Sequence, residues 1–121
     1  MTVLDVNGFY CPGAWSREQL GEFAEEIGGV DRPIDIGIVR AVKVLLDAGF
    51  ETYESCEGSE GHSMSAPTVR FHGQTDTGWS ALATCITFDL PVLALRRCWD
   101  VTPNGEPFGP TWEIVFRHKL I

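Results

Sequence analysis

Two amphipathic stretches open the readable part of this chain, and shorter β-favouring runs follow them. From Arg17 to about Ile27, Leu20, Phe23, Ala24 and Ile27 recur at helical spacing, while Glu18, Glu22, Glu25 and Glu26 take the opposite side. Ser16 suits the N-cap, Gln19 completes a capping box, and Trp15 with Leu20 forms a hydrophobic staple. Gly28-Gly29 ends the helix. A second helix follows Pro33, with Asp35 as N-cap and Ile38, Val42, Leu45 and Leu46 at core spacing. Gly49 supplies a left-handed C′ residue, and Phe50 folds back on Leu45 in a Schellman arrangement.

Phe50 to Cys56 then reads as a strand and Thr68 to His72 as its hairpin partner. The connection between them, Glu57 to Pro67, is far longer than a hairpin turn, which marks it as functional or mobile rather than merely connective. Asp76 or Thr77 caps a third helix whose apolar stripe is Trp79, Leu82, Ala83 and Ile86. Val92 to Val101, a turn from Pro103 to Pro107 signalled by Asn104-Gly105, and Thr111 to Arg117 complete the pattern. A short strand is also read at Thr2 to Val6. The expectation is one α+β domain spanning residues 1–121, with a mainly antiparallel four-stranded sheet and helices on one face.

Composition narrows the partners. The longest mostly apolar run, Ile34 to Leu46, is interrupted by Asp35, Arg40 and Lys43 and is too short to span a bilayer. Met1 to Asp5 lacks the features of a signal peptide, so a cytoplasmic location is expected and no membrane partner. Cys11, Cys56, Cys85 and Cys98 form no CxxC pair and read as reduced thiols. The net charge is −8, and residues 1–60 hold twelve acids against four bases, whereas residues 61–121 hold five of each. With no basic tract to contact phosphates, nucleic acid is not an expected partner. The acidic helix face serves solubility or meets a basic channel on another protein.

Candidate chemistry gathers in two places. The first is the segment Ser55, Cys56, Glu57, Gly58 and His62, where a strand opens into a polar loop; Cys56 and His62 are the catalytic candidates, as nucleophile and base. The second is a cationic set, Arg70, His72, Arg96 and Arg97: Arg70 and His72 are expected on the sheet face opposite the helices with Arg117 nearby, joined by Arg96 or Arg97 from the neighbouring strand. Guanidinium groups suit phosphate, and Trp99, Tyr53 or Trp112 can stack on a base. Solvated charges paired with Glu113 or Asp100 are the plainer account of any single arginine. Zinc ligation by Cys56, His62 and His72, with Cys11 or His118, lacks the short paired spacing of structural sites, so no metal and no cofactor are expected. A face carrying Val115, Ala94 and Trp99 would be covered by a ligand or a second copy, which predicts a homodimer or higher oligomer.

The run Ala41-Val-x-x-Leu45-Leu46-x-x-Gly49-Phe50-Glu-Thr52-x-Glu54-Ser55-Cys56-Glu-Gly58-x-x-Gly61-His62, followed by Pro67-Thr-Val-Arg70-Phe71-His-Gly73, resembles a group of small uncharacterised proteins encoded by bacteriophages and prophage regions. Leu95-Arg96-Arg97-x-Trp99 and Trp112-Glu-Ile-Val-Phe116 extend the likeness. A more local similarity, confined to the Ser55-Cys56-Glu57-Gly58 turn, is to the wybutosine-synthesis methyltransferase-like family, and no activity is carried over from it. The phage-type resemblance implies an accessory protein acting in the host cytoplasm against host defence. Three functions follow as expectations. One is sequestration of a small phosphorylated ligand such as a cyclic nucleotide; another is inhibition of a host defence protein through the acidic half. The third is Cys/His-dependent hydrolysis of a nucleotide.

Overall fold

The computed structural model describes residues 12–121. The strand read at Thr2 to Val6, and Cys11, lie outside them. A 3-10 turn, Pro12–Ala14, leads into α1 (Arg17–Gly28), α2 (Val39–Asp47), β1 (Glu51–Cys56), β2 (Thr68–His72), α3 (Thr75–Thr87), β3 (Val92–Val101) and β4 (Pro107–Phe116). The strands form one antiparallel sheet in the order β1-β2-β4-β3. The β2–α3–β3 connection therefore passes over β4, which closes the sheet by inserting between its two neighbours. The main core joins Ile38 and, from α2, Val42 and Leu45 to Val69, Phe71, Ile114 and Phe116, and a second cluster of Leu20, Ala24 and Val39 packs α1 against α2. This is the α+β architecture expected from the pattern.

Local signals account for much of it. Ser16 caps α1 reciprocally with Gln19: the Gln19 N–H donates to Ser16 Oγ (3.1 Å) and the Ser16 N–H to Gln19 Oε1 (2.8 Å). At the end of α2 the Phe50 N–H reaches the Leu45 carbonyl (2.9 Å) and the Gly49 N–H that of Leu46 (3.0 Å), with Gly49 at φ 93°. That is the Schellman pair, and it sets the angle at which the chain enters β1.

Four expectations fail. The Asp35 side chain does not cap α2, which starts at Val39. Only the Asp35 carbonyl takes part, accepting the Ile38 and Val39 N–H groups across the turn before the helix. Leu46 is exposed rather than packed. Helix α3 is rotated from the stripe of large apolar residues, so that Gly78, Ala81 and Cys85 are buried while Trp79 and Ile86 are 63% and 59% exposed. The Thr77 hydroxyl accepts the Gln74 N–H at its start, with neither Asp76 nor Thr77 as the N-cap. At Gly78 no side chain fits, because the Trp112 ring lies against it. The indole is held by its Nε1–H on the Gln74 carbonyl (2.9 Å), so the helix fits only if its inner side is small at that point.

Burial raises the Cys85 thiol to about 12. Between an ordinary thiol value and that figure the unfolded chain is ionised at this position while the native chain stays protonated. The unfolded state then binds fewer protons, so Cys85 contributes a loss of stability as pH rises above about 9. The expected slope is up to about 1.4 kcal/mol per pH unit, read as the difference in urea midpoints between the protein and Cys85→Ala over pH 8.5–10.5. Parallel midpoints in the two proteins would show that the thiol carries no such linkage.

Candidate functional site

The long β1–β2 connection is built onto the start of α2. At the end of β1 the chain alternates, sending Cys56 toward the sheet face remote from the helices and Glu57 toward α2. There Glu57 Oε1 accepts the Gly37 N–H (2.9 Å), and in return the Glu57 N–H donates to Asp35 Oδ2 (3.2 Å). Lys119, in the C-terminal segment, lies 3.5 Å from Glu57 Oε2, and the Leu120 N–H reaches the Gly37 carbonyl (2.8 Å). Two further turns shape the loop, the His62 N–H to the Ser59 carbonyl (3.1 Å) and the Ser59 N–H to the Met64 carbonyl (3.3 Å). Gly58, at φ 77°, lies so close to Ala66 and Pro67 that no Cβ fits.

These constraints bring Cys56 and His62 together as the sequence suggested, with Sγ 3.7 Å from Nδ1. They also add a group that the sequence did not disclose. Asp35 joins them, and a carboxylate oxygen, the sulfur and a ring nitrogen all lie within 4.8 Å of one another. Each fixed donor has a backbone partner: the Gly58 N–H points at Cys56 Sγ (3.4 Å), and the Glu57 N–H orients Asp35. Cys56 is 3% exposed, whereas Asp35 and His62 stand in solvent. Nothing in the local sequence marks Asp35, because helix α2 and β1 must dock before it approaches the loop.

The other members of the predicted segment divide. Gly58 and Glu57 support the cluster as described, while Ser55 faces the helix side and lines a cleft with Thr52, Ile34 and Val42.

In the second predicted site Arg70 shares the remote face with Arg96, one of the two adjacent arginines expected there, while Arg97 is on the helix side, where Nη1 donates to Thr75 Oγ1 (2.9 Å) and the guanidinium lies over the Trp112 ring (5.4 Å). Arg70 is enclosed by carboxylates: Glu54 at 2.7 Å, Glu113 at 3.1 Å and Asp100 at 3.7 Å, with Arg96 sharing Glu113 at 3.2 Å. Burial opposes the charge of Arg70, but the Glu113 hydrogen bond and the three carboxylates outweigh it and hold its pKa above the usual value. A bulge at Tyr53 places this side chain on the same face as its neighbour Glu54. Its hydroxyl sits 3.0 Å from Thr111 Oγ1 and 3.3 Å from Asp100 Oδ2, and its ring stacks on His72 (4.4 Å). Burial, first among several influences, raises the Tyr53 pKa.

Trp99 is exposed near the distal end of the β3–β4 hairpin, away from the loop cluster. Val115, expected on an open apolar face, is 4% exposed, flanked across the strands by buried Thr68 and half-buried Ala94. Exposed large apolar residues are scattered instead: on α3, on the edge strand at Leu93, on the hairpin at Trp99, Val101 and Phe108, and singly at Val30, Leu46, Tyr53 and Ile121. Glu18, Glu22, Glu25 and Glu26 are exposed on α1. Among the described residues no helix is long and apolar enough to cross a membrane.

No family model, curated protein or solved structure matches this chain.

Proposed function

We propose that the protein binds one zinc-class transition-metal ion through Asp35, Cys56 and His62, and that this centre is its functional site. The observation that carries the reading is the convergence of a thiol, an imidazole and a carboxylate from two separated segments. Zinc takes this mixture of sulfur, nitrogen and oxygen donors, and its bond lengths put tetrahedrally bound sulfur and nitrogen about 3.5 Å apart. The observed 3.7 Å between Cys56 and His62 agrees with that spacing. The outer limit of 4.8 Å within the trio is roughly 1 Å wider than a tetrahedral edge, and a small turn of the exposed His62 ring and of Asp35 about its Oδ2 hydrogen bond closes it. The sequence expectation of no metal rested on ligand spacing along the chain, which says nothing of a donor delivered by a distant helix start.

Metal content after dialysis tests the reading. One equivalent of zinc is expected in the protein, and Cys56→Ala or His62→Ala should weaken affinity by more than the roughly 10–100-fold that loss of an outer-shell partner costs. Asp35→Asn should fall between. Retention of stoichiometric zinc by the Cys56→Ala protein would sink the assignment.

The same 3.7 Å contact also favours a second reading, hydrolysis by a Cys56 nucleophile with His62 as base and Asp35 as the third group. Turnover of a nucleotide by metal-free protein, abolished in Cys56→Ala, would select it over the metal centre. For sequestration of a phosphorylated ligand, the arginine face is a poor seat, because the ligand would have to displace Glu54, Glu113 and Asp100 from Arg70.

A further inference from the structure

We infer that an ion held by Asp35, Cys56 and His62 keeps one coordination position turned toward solvent and exchanges it among small oxyanions, phosphate and carboxylate groups included. The inference rests on the metal-binding reading. Among the described residues the cluster contains three protein donors, without a fourth cysteine, histidine or acid. Glu57, adjacent to Cys56 in the chain, is directed to the opposite side, where Gly37 and Lys119 occupy its two oxygens.

Burial of the donors is lopsided. Cys56 lies under the loop while Asp35 and His62 are exposed, so an ion bound by all three has sulfur beneath it and water above. Structural zinc sites close the shell with four protein ligands, and sites that bind a water or a substrate use three. Charge points the same way. One thiolate and one carboxylate neutralise a divalent ion, and Glu57, next to Cys56 in the chain, is paired with Lys119. An incoming anion therefore meets no excess negative charge from the ligand set, and it gains a direct bond to the metal.

The backbone supports the exchange without movement of the loop. The Gly58 N–H fixes the sulfur and the Glu57 N–H fixes Asp35, so both donors are held from the protein side. No protein group has to leave for an oxyanion to enter.

Cobalt(II) reconstitution of the full chain tests this. A sulfur-to-cobalt charge-transfer band and visible d–d bands are expected at one equivalent, absent in Cys56→Ala and retained in Cys98→Ser. Adding azide or inorganic phosphate should shift the d–d bands saturably with one-to-one stoichiometry. Bands that form but do not move with either anion at millimolar concentrations would overturn the exchangeable position while leaving metal binding in place. No charge-transfer band in the unmodified protein would overturn the metal-binding reading itself.

Discussion

Gly58→Ala is expected to unfold the loop and the site together, with a loss of about 2–5 kcal/mol in global stability. Two costs add. Gly58 sits at φ 77°, where an L side chain is disfavoured by roughly 1–2 kcal/mol. The new Cβ would also fall 2.3 Å from the Ala66 carbonyl carbon and 2.5 Å from Pro67 N. Both are backbone atoms just before β2, and relief requires the loop to shift from the segment that leads into that strand. The Gly58 N–H would then leave Cys56 Sγ, so zinc affinity should fall with stability. Chemical denaturation followed by tryptophan fluorescence, alongside metal titration, checks both. Gly61→Ala is the internal control, because Gly61 is also left-handed (φ 87°) but has nothing within 4 Å of its added Cβ, so only the smaller conformational cost applies. Equal losses at the two positions would show that the close approach of Gly58 to Ala66 and Pro67 contributes nothing.

Gly78→Val should cost about 3 kcal/mol despite replacing a glycine inside a helix. On helix propensity alone the substitution is favourable by a few tenths of a kcal/mol. Packing decides the sign, since a Cβ at Gly78 would lie 2.5–2.6 Å from the Trp112 ring before any methyl is added. The ring cannot swing away without breaking its bond to the Gln74 carbonyl and losing its contact with Arg97. At roughly 4–8 °C per kcal/mol for a small domain, the melting temperature should drop by more than 10 °C. Combining it with Trp112→Leu should recover part of the loss, a coupling measurable as a double-mutant cycle. Strict additivity would place the clash elsewhere.

The same helix shows where sequence reading succeeds and where it stops. Signals confined to a few neighbouring residues survive folding intact: the Ser16–Gln19 box, the Gly49–Phe50 terminator, and the limits of β2 and β3. The orientation of α3 depends on a distant partner, because Trp112 leaves no room for a side chain at Gly78 and so outranks the larger side chains of Trp79 and Ile86. Likewise a one-residue bulge puts Tyr53 with Arg70, contrary to simple alternation. Arg97 lies across the sheet from Arg96 by ordinary alternation, since no bulge falls between them. In the candidate site, Cys56 and His62 were legible because one loop carries both. Asp35 was hidden, since its proximity is a property of the packed α2–β1 unit.

That division between local and delivered donors has a kinetic consequence. Cys56 and His62 remain near each other in an unfolded chain, whereas Asp35 is separated from them by the whole of α2 and becomes available only when the helix start docks. An ion at the completed cluster consequently favours a late arrangement of the chain. It should leave the folding rate nearly unchanged and slow unfolding instead, as contacts absent from the transition state do. The lifetime of the bound ion and the lifetime of the folded protein are then set in part by the same event, the separation of the α2 start from the end of β1.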